Sequence, residues 1–176
     1  MVEVTIDCIR MSLMNQNRVV ILKEKDRERF LPIWIGHFEA DAINLELQDV
    51  PHKRPFTHDL LKSAIVDLGG NIERIVVTEL RRPEDIYYAN IIVQLDGRRV
   101  EIDARPSDAI ALAVRARAPI FVHQSVMDAA GVTPEEDILS QANPPIEEED
   151  EGSLNDRLQI FKDFVDTLDL DNLDEE

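Results

Sequence analysis

The stretch "IDARPSDAIALAVRARAPIFV", Ile102 to Val122, runs a strand into Arg-Pro-Ser-Asp, then into a helix of small residues, then through Ala-Pro into a second apolar run. Proline fixes φ and lacks an N–H, so Pro106 suits the first turn of a helix while Pro119 forces the chain out of one. The stretch predicts a strand, a helix from Pro106 to about Arg117, and a short strand "IFV" at Ile120 to Val122. An earlier stretch, "RPFTHDLL" from Arg54 to Leu61, repeats the order of Arg-Pro, a hydroxyl and an aspartate. It predicts a second helix start, with Thr57 as N-cap, Asp59 as favourable negative charge in the first turn, and Gly69-Gly70 as the left-handed exit. Leu60, Leu61, Ile65 and Leu68 form the apolar face expected of that helix.

Outward from these two starts, the chain alternates periods. Val2, Val4, Ile6 and Cys8 alternate with polar residues, the mark of a half-buried strand, and "RVVILK" (Arg18 to Lys23) follows the turn-prone "MNQN", so the two predict a hairpin. "RFLPIWIG" is a third apolar run, in which Pro32 cannot donate to a ladder and predicts an edge position or a bulge. From about His37 to Asp49, Ile43 and Leu47 fall at helical spacing, and Pro51 closes the segment. "IERIVVTEL", "IYYANIIVQL" and "RRVEIDA" predict three more strands, joined through "RRPED" and through Asp96-Gly97, a strong hairpin signal. Thr133 with Glu136 makes a capping box for a short helix near Ile138.

Strands and helices interleaved without a regular repeat predict an α+β domain with a mixed β-sheet and several packed helices, rather than a doubly wound sheet. That domain is expected over residues 1–143. An acidic, proline-containing linker follows at 144–152, and then a C-terminal helix with an acidic tail at 153–176, where Leu154, Leu158, Phe161, Phe164, Val165 and Leu168 share a face.

The net charge of −17 is unevenly placed: from Pro134 onward sixteen acidic residues stand against Arg157 and Lys162 alone. The body is close to neutral and carries no broad basic stripe, so composition argues against a tight nonspecific DNA binder. The single cysteine, Cys8, excludes an internal disulfide, and no paired Cys/His set offers zinc ligands. The N-terminal residues lack the unbroken apolar stretch of a secretory signal, and no segment is long and apolar enough to span a bilayer, so the expected location is cytoplasmic, with no membrane partner. "LGGNIE" follows a helix instead of opening one and fails the context test for a phosphate loop.

Candidate chemistry gathers at the helix starts. His58 and Asp59 offer a general base or metal ligand and a carboxylate for a hard cation, set against the strong structural reading of a packed histidine and an acid that complements the helix dipole. Asp103 and Asp108 flank Arg105-Pro106 at a strand-to-helix junction. Two carboxylates there can ligate Mg²⁺ or Mn²⁺ while Arg105 engages a phosphate oxygen, or Asp108 and Arg105 can simply pair. Glu39, near a helix start after "WIGHF", is open to the same two readings. Helix-start grammar explains both Arg-Pro stretches without catalysis and leaves open whether they face one cleft.

Three segments taken together, "LPIWIGHFEADAI" (Leu31 to Ile43), "RPFTHDLL" and "DARPSDAIALAV", resemble in order and separation the signature segments of the bifunctional nuclease (BFN) domain family. The resemblance spans about Val2 to Gly131 and implies a compact, oligomeric α+β domain in a family named for cleavage of RNA and DNA. The matching positions are Glu39, His58, Asp59, Asp103, Arg105 and Asp108. For a nuclease they predict metal-assisted phosphodiester hydrolysis. Glu39, Asp59, Asp103 and Asp108 would hold Mg²⁺ or Mn²⁺, His58 would activate water or protonate the leaving group, and Arg105 would stabilise charge on phosphate. The rival expectation is a non-catalytic homo-oligomeric binding or regulatory module whose polar helix starts are structural.

Overall fold

A computed structural model describes residues 1–12 and 17–133. The chain order is β1 (Val2–Met11), β2 (Arg18–Glu24), β3 (Phe30–Ile35), α1 (His37–Leu47), α2 (Thr57–Asp67), β4 (Asn71–Arg81), β5 (Ile86–Leu95), β6 (Arg98–Ala104), α3 (Pro106–Ala116), β7 (Ile120–Val122) and α4 (Gln124–Ala130). The strands form one mixed sheet in the order β3-β2-β1-β7-β4-β5-β6, and the fold is α+β as expected.

Local chemistry sets most of this. The β1–β2 hairpin pairs antiparallel, with a register shift between Ile6 and Cys8. β3 closes the sheet at one edge, which leaves room for Pro32 opposite Ile21. Asp96 and Gly97 both take positive φ (50° and 75°), the backbone of a tight turn that matches strand twist, and β5 and β6 pair on either side of it. The three residues of β7 hold the middle of the sheet, antiparallel to β1 at Val2–Val4 and parallel to β4 at Ile75–Val77. Beyond that short bridge the two halves of the sheet have no strand between them among the described residues.

α3 is the most deeply buried helix. Ala109, Ile110, Ala111, Leu112 and Ala113 are fully enclosed, and the alanines let the helix lie close on β4 and β5 while α1 and α2 pack beside it. Its chain exit uses Arg117 in the left-handed region, with Ala118 N–H bonded to the Ala113 carbonyl, ahead of Pro119.

Several expectations are corrected. Neither hydroxyl caps its helix: Phe56 and Arg105 occupy the N-cap positions, with Thr57 and Pro106 as the first helical residues. The Phe56 N–H instead donates to the Asp59 carboxylate at 2.8 Å, the acidic half of a capping box. The presumed apolar face of α2 is largely open, with Leu60 64% and Leu68 79% exposed; Ile65 packs on the core, and His58 is the one buried residue of the helix. The left-handed exit at Gly69 is present, at φ 85°. α1 ends at Leu47 rather than Asp49, and α4 was not expected. No helix among the described residues is long and apolar enough to cross a membrane. The short helix expected near Ile138, the linker and the C-terminal helix lie outside the described residues.

Candidate functional site

The starts of α1, α2 and α3 meet. Glu39, in the first turn of α1, accepts a hydrogen bond from Arg105 Nη2. Arg105 also donates to Asp108 from Nε (2.7 Å) and Nη2 (3.1 Å), so its guanidinium is clamped between two carboxylates. The other face of Asp108 meets His58: Nε2 lies 3.1 Å from Oδ1. An ionised carboxylate only accepts, so the proton sits on Nε2 and the lone pair of the neutral ring is on Nδ1. Burial pushes the Asp108 carboxyl up, but the hydrogen bonds from Arg105 and His58 outweigh that and hold it below the usual range. Hydrogen bonds to Asp108 and Glu39 hold Arg105 firmly protonated. Its side chain is nevertheless 67% exposed, and Nη1 has no protein partner among the described residues.

A glycine makes the clamp possible. A Cβ at Gly36, the N-cap of α1, would collide with the Glu39 carboxylate, which folds back over the helix start.

Asp59 points elsewhere. Successive helical side chains diverge by about 100°, so His58 and Asp59 cannot serve one point. Asp59 Oδ1 receives Arg115 Nε at 2.7 Å; Oδ2 receives the Phe56 N–H and lies 3.0 Å from His52 Nε2. Desolvation raises its carboxyl, and those donors bring it below the ordinary value. Arg115 is itself buried at 4% exposure and donates further to the carbonyls of Ala111 and Ala42. Asp103 is exposed on β6, opposite Asn90. Of the six expected residues, four come together (Glu39, His58, Arg105 and Asp108), while Asp59 braces α2 against α3 and Asp103 stands apart.

The four carboxylates expected to hold one or two divalent ions therefore do not gather into an ion site as placed. Among the described residues no group of three or more His, Cys, Asp or Glu is placed to hold a metal, and the space between Glu39 and Asp108 is filled by the Arg105 guanidinium.

Two clefts open beside the cluster. The smaller, about 450 Å³, is lined by Phe38, Glu39, Asp41, Phe56, His58 and Arg105, among others. The larger, about 690 Å³, lies where the sheet halves part, between β3, the β4–β5 turn and the start of α3, with Arg82, Tyr87, Arg105 and Ser107 in its wall. Burial pushes the Tyr87 hydroxyl up to about 12. Reading the sequence missed Arg115, although an arginine inside an alanine-rich helix signals a need for a buried partner. It missed Phe38 and Phe56 because aromatics beside polar residues read as ordinary packing.

A family model described as Bifunctional nuclease domain matches residues 20–135. The uncharacterized protein Rv1829 of Mycobacterium tuberculosis is 35% identical over 170 residues, covering 97% of this chain and 96% of that one. Bifunctional nuclease 2 of Oryza sativa subsp. japonica is 28% identical over 120 residues, covering 66% of this chain and 36% of that protein. Bifunctional nuclease 1 of Arabidopsis thaliana is 28% identical over 109 residues, covering 60% and 33%. The match thus takes in about a third of the plant proteins' length.

Proposed function

The chain belongs to the bifunctional nuclease domain family, and on that premise we propose that it hydrolyses phosphodiester bonds in RNA or DNA at the Glu39–Arg105–Asp108–His58 cluster. One observation carries the reading: an exposed guanidinium, fixed by two carboxylates, adjoins a carboxylate-held histidine at the mouth of a cleft. Arg105 would meet a phosphate oxygen through Nη1 and offset the charge that grows on it. His58, with its lone pair on Nδ1, would take a proton from water as the water oxygen bonds to phosphorus. The ester oxygen whose bond to phosphorus breaks then leaves with a proton returned by the imidazolium. Glu39 and Asp108 act by positioning. No step is assigned to Mg²⁺ or Mn²⁺, because the carboxylates expected to share an ion are dispersed.

The test is cleavage of labelled RNA and DNA by wild type, His58→Gln and Arg105→Ala purified identically, each with Mg²⁺, Mn²⁺ or chelator. Losing a positioned general base is expected to slow cleavage by about 100-fold or more. Equal cleavage by all three proteins would place the activity elsewhere. The chelator arm decides whether a divalent ion contributes.

A second reading, a non-catalytic homo-oligomeric module, draws support from the open apolar side chains of α2: Leu60, Leu61, Val66 and Leu68. Self-association in sedimentation without cleavage of any substrate would favour it.

A further inference from the structure

Arg105 is a wall of both clefts, and what surrounds it differs from one side to the other. On the smaller side, Phe38 is 88% exposed and Phe56 42% exposed, each at the start of a helix. Neither joins the hydrophobic clusters of the core, although Phe56 tilts against the His52 ring with centroids 4.6 Å apart, so core packing does not account for the two rings at the lip of a cleft that also holds carboxylates. Glu39, Asp41 and Asp108 line the same cleft beside Arg105, and their oxygens can accept hydrogen bonds from exocyclic amino groups. On the larger side a second exposed guanidinium, Arg82, stands in the wall with Asp85, Ser107 and Tyr87; its Nη2 donates to the Ala129 carbonyl at 3.1 Å and its Nε lies 3.7 Å from Asp85.

We propose that the two clefts form one track for a single nucleic-acid strand. A phosphate rests on Arg105, a base lies against Phe38 and Phe56 in the smaller cleft, and the strand continues through the larger cleft past Arg82. The inference rests on the proposed hydrolytic reading for the chemistry at Arg105, but it adds the substrate class and the residues that select it. A duplex keeps its bases stacked and paired, so they are not free to lie against the exposed rings. An unpaired base stacks on them whatever its identity. With two guanidiniums rather than a basic stripe, affinity rests on stacking, and its salt dependence is shallow: about −0.7 in log K per log salt for each phosphate, hence about −1.4 for two.

The test is fluorescence anisotropy of the full chain carrying His58→Gln, to suppress cleavage, with a labelled 12-nucleotide single strand, the same sequence as a duplex, and an abasic phosphodiester chain of equal length. The single strand is expected to bind at least about tenfold more tightly than either control. Phe38→Ala, at a site too exposed to disturb the fold, should weaken the single strand roughly 5- to 100-fold and leave the abasic chain unchanged. Phe56→Ala should act in the same direction. Equal binding of duplex or abasic chain overturns the proposal. So does a Phe38→Ala variant that keeps its single-strand affinity but loses self-association in sedimentation, which would make Phe38 a protein contact. Tight single-strand binding by a wild type that cleaves nothing removes the hydrolytic reading and leaves the track standing. Cleavage with a preference for duplex does the reverse.

Discussion

The starts of α2 and α3 read almost alike, Arg-Pro-Phe-Thr-His-Asp and Arg-Pro-Ser-Asp, yet the structure gives their aspartates opposite work. Asp59 faces inward along α3 and neutralises Arg115, whose side chain is 2% exposed. Asp108 faces the smaller cleft and holds Arg105 and His58 at its two oxygens. Arg54, the counterpart of Arg105, is exposed and makes no ion pair among the described residues. Both helices need an acid in the first turn, and the dipole accepts either. What separates structure from chemistry is the direction in which each carboxylate is spent, and that is set by tertiary packing.

The sharpest way to break this division is to remove one carboxylate at a time. Asp59→Ala leaves Arg115 charged and buried without its partner, a loss expected to cost about 3–5 kcal/mol in urea unfolding. Asp108→Asn strips a more exposed group, and its unfolding free energy should fall by about 1 kcal/mol. Its cleavage should fall toward that of His58→Gln, since the amide keeps one acceptor oxygen but loses the second acceptor and the negative charge that orient the imidazole and the guanidinium. If Asp108→Asn proves the more destabilising, or Asp59→Ala retains stability and loses only activity, the assignment of roles is reversed.

A smaller effect sharpens the same comparison through pH. Asp59 has a folded value below its ordinary one, so its contribution to stability is fully present above the unfolded carboxylate value, near 3.9, and is lost as pH falls through the lower folded value. Wild type should therefore lose stability progressively below about pH 5. The Asp59→Asn variant, which has no such proton to take up, should show a flatter acid limb in unfolding titrations between pH 7 and 2. Identical slopes would mean that the Arg115 pair contributes nothing on folding.

Much of the fold was legible because its signals are local. Alternation in β1, the apolar run of β2 after a turn-prone segment, the Asp96-Gly97 turn, Gly69 and the Pro106/Pro119 brackets each need only a few neighbours to act. The misreadings share a cause too. Leu60, Leu61 and Leu68 have helical spacing, but spacing says that a stripe exists and not what covers it. α4, seven residues long and started by His123 accepting from the Ser125 N–H, is too short to show a period. At the site, residue types and helix starts were visible in the sequence and nominated Glu39, His58, Arg105 and Asp108. The diversion of Asp59 depends on Arg115, fifty-six positions away, and on a helix-to-helix contact that no local pattern encodes.

The gentlest probe touches neither aspartate. At Gly36 the backbone is extended (φ −70°, ψ 161°), open to any residue, so the difficulty with a side chain there is steric: its Cβ meets the tip of Glu39. That tip is the end of a flexible side chain and can swing away cheaply, so Gly36→Ala should change unfolding free energy by no more than about 0.5 kcal/mol. Glu39 would then leave Arg105 held by Asp108 alone. A guanidinium that keeps its charge but loses one of two anchors still attracts phosphate while presenting it less well. The expected outcome is a few-fold drop in cleavage rate with the His58–Asp108 pair and the pH profile intact. An unchanged rate would show that the α1 start contributes no positioning, and that the α2 and α3 starts alone make the site.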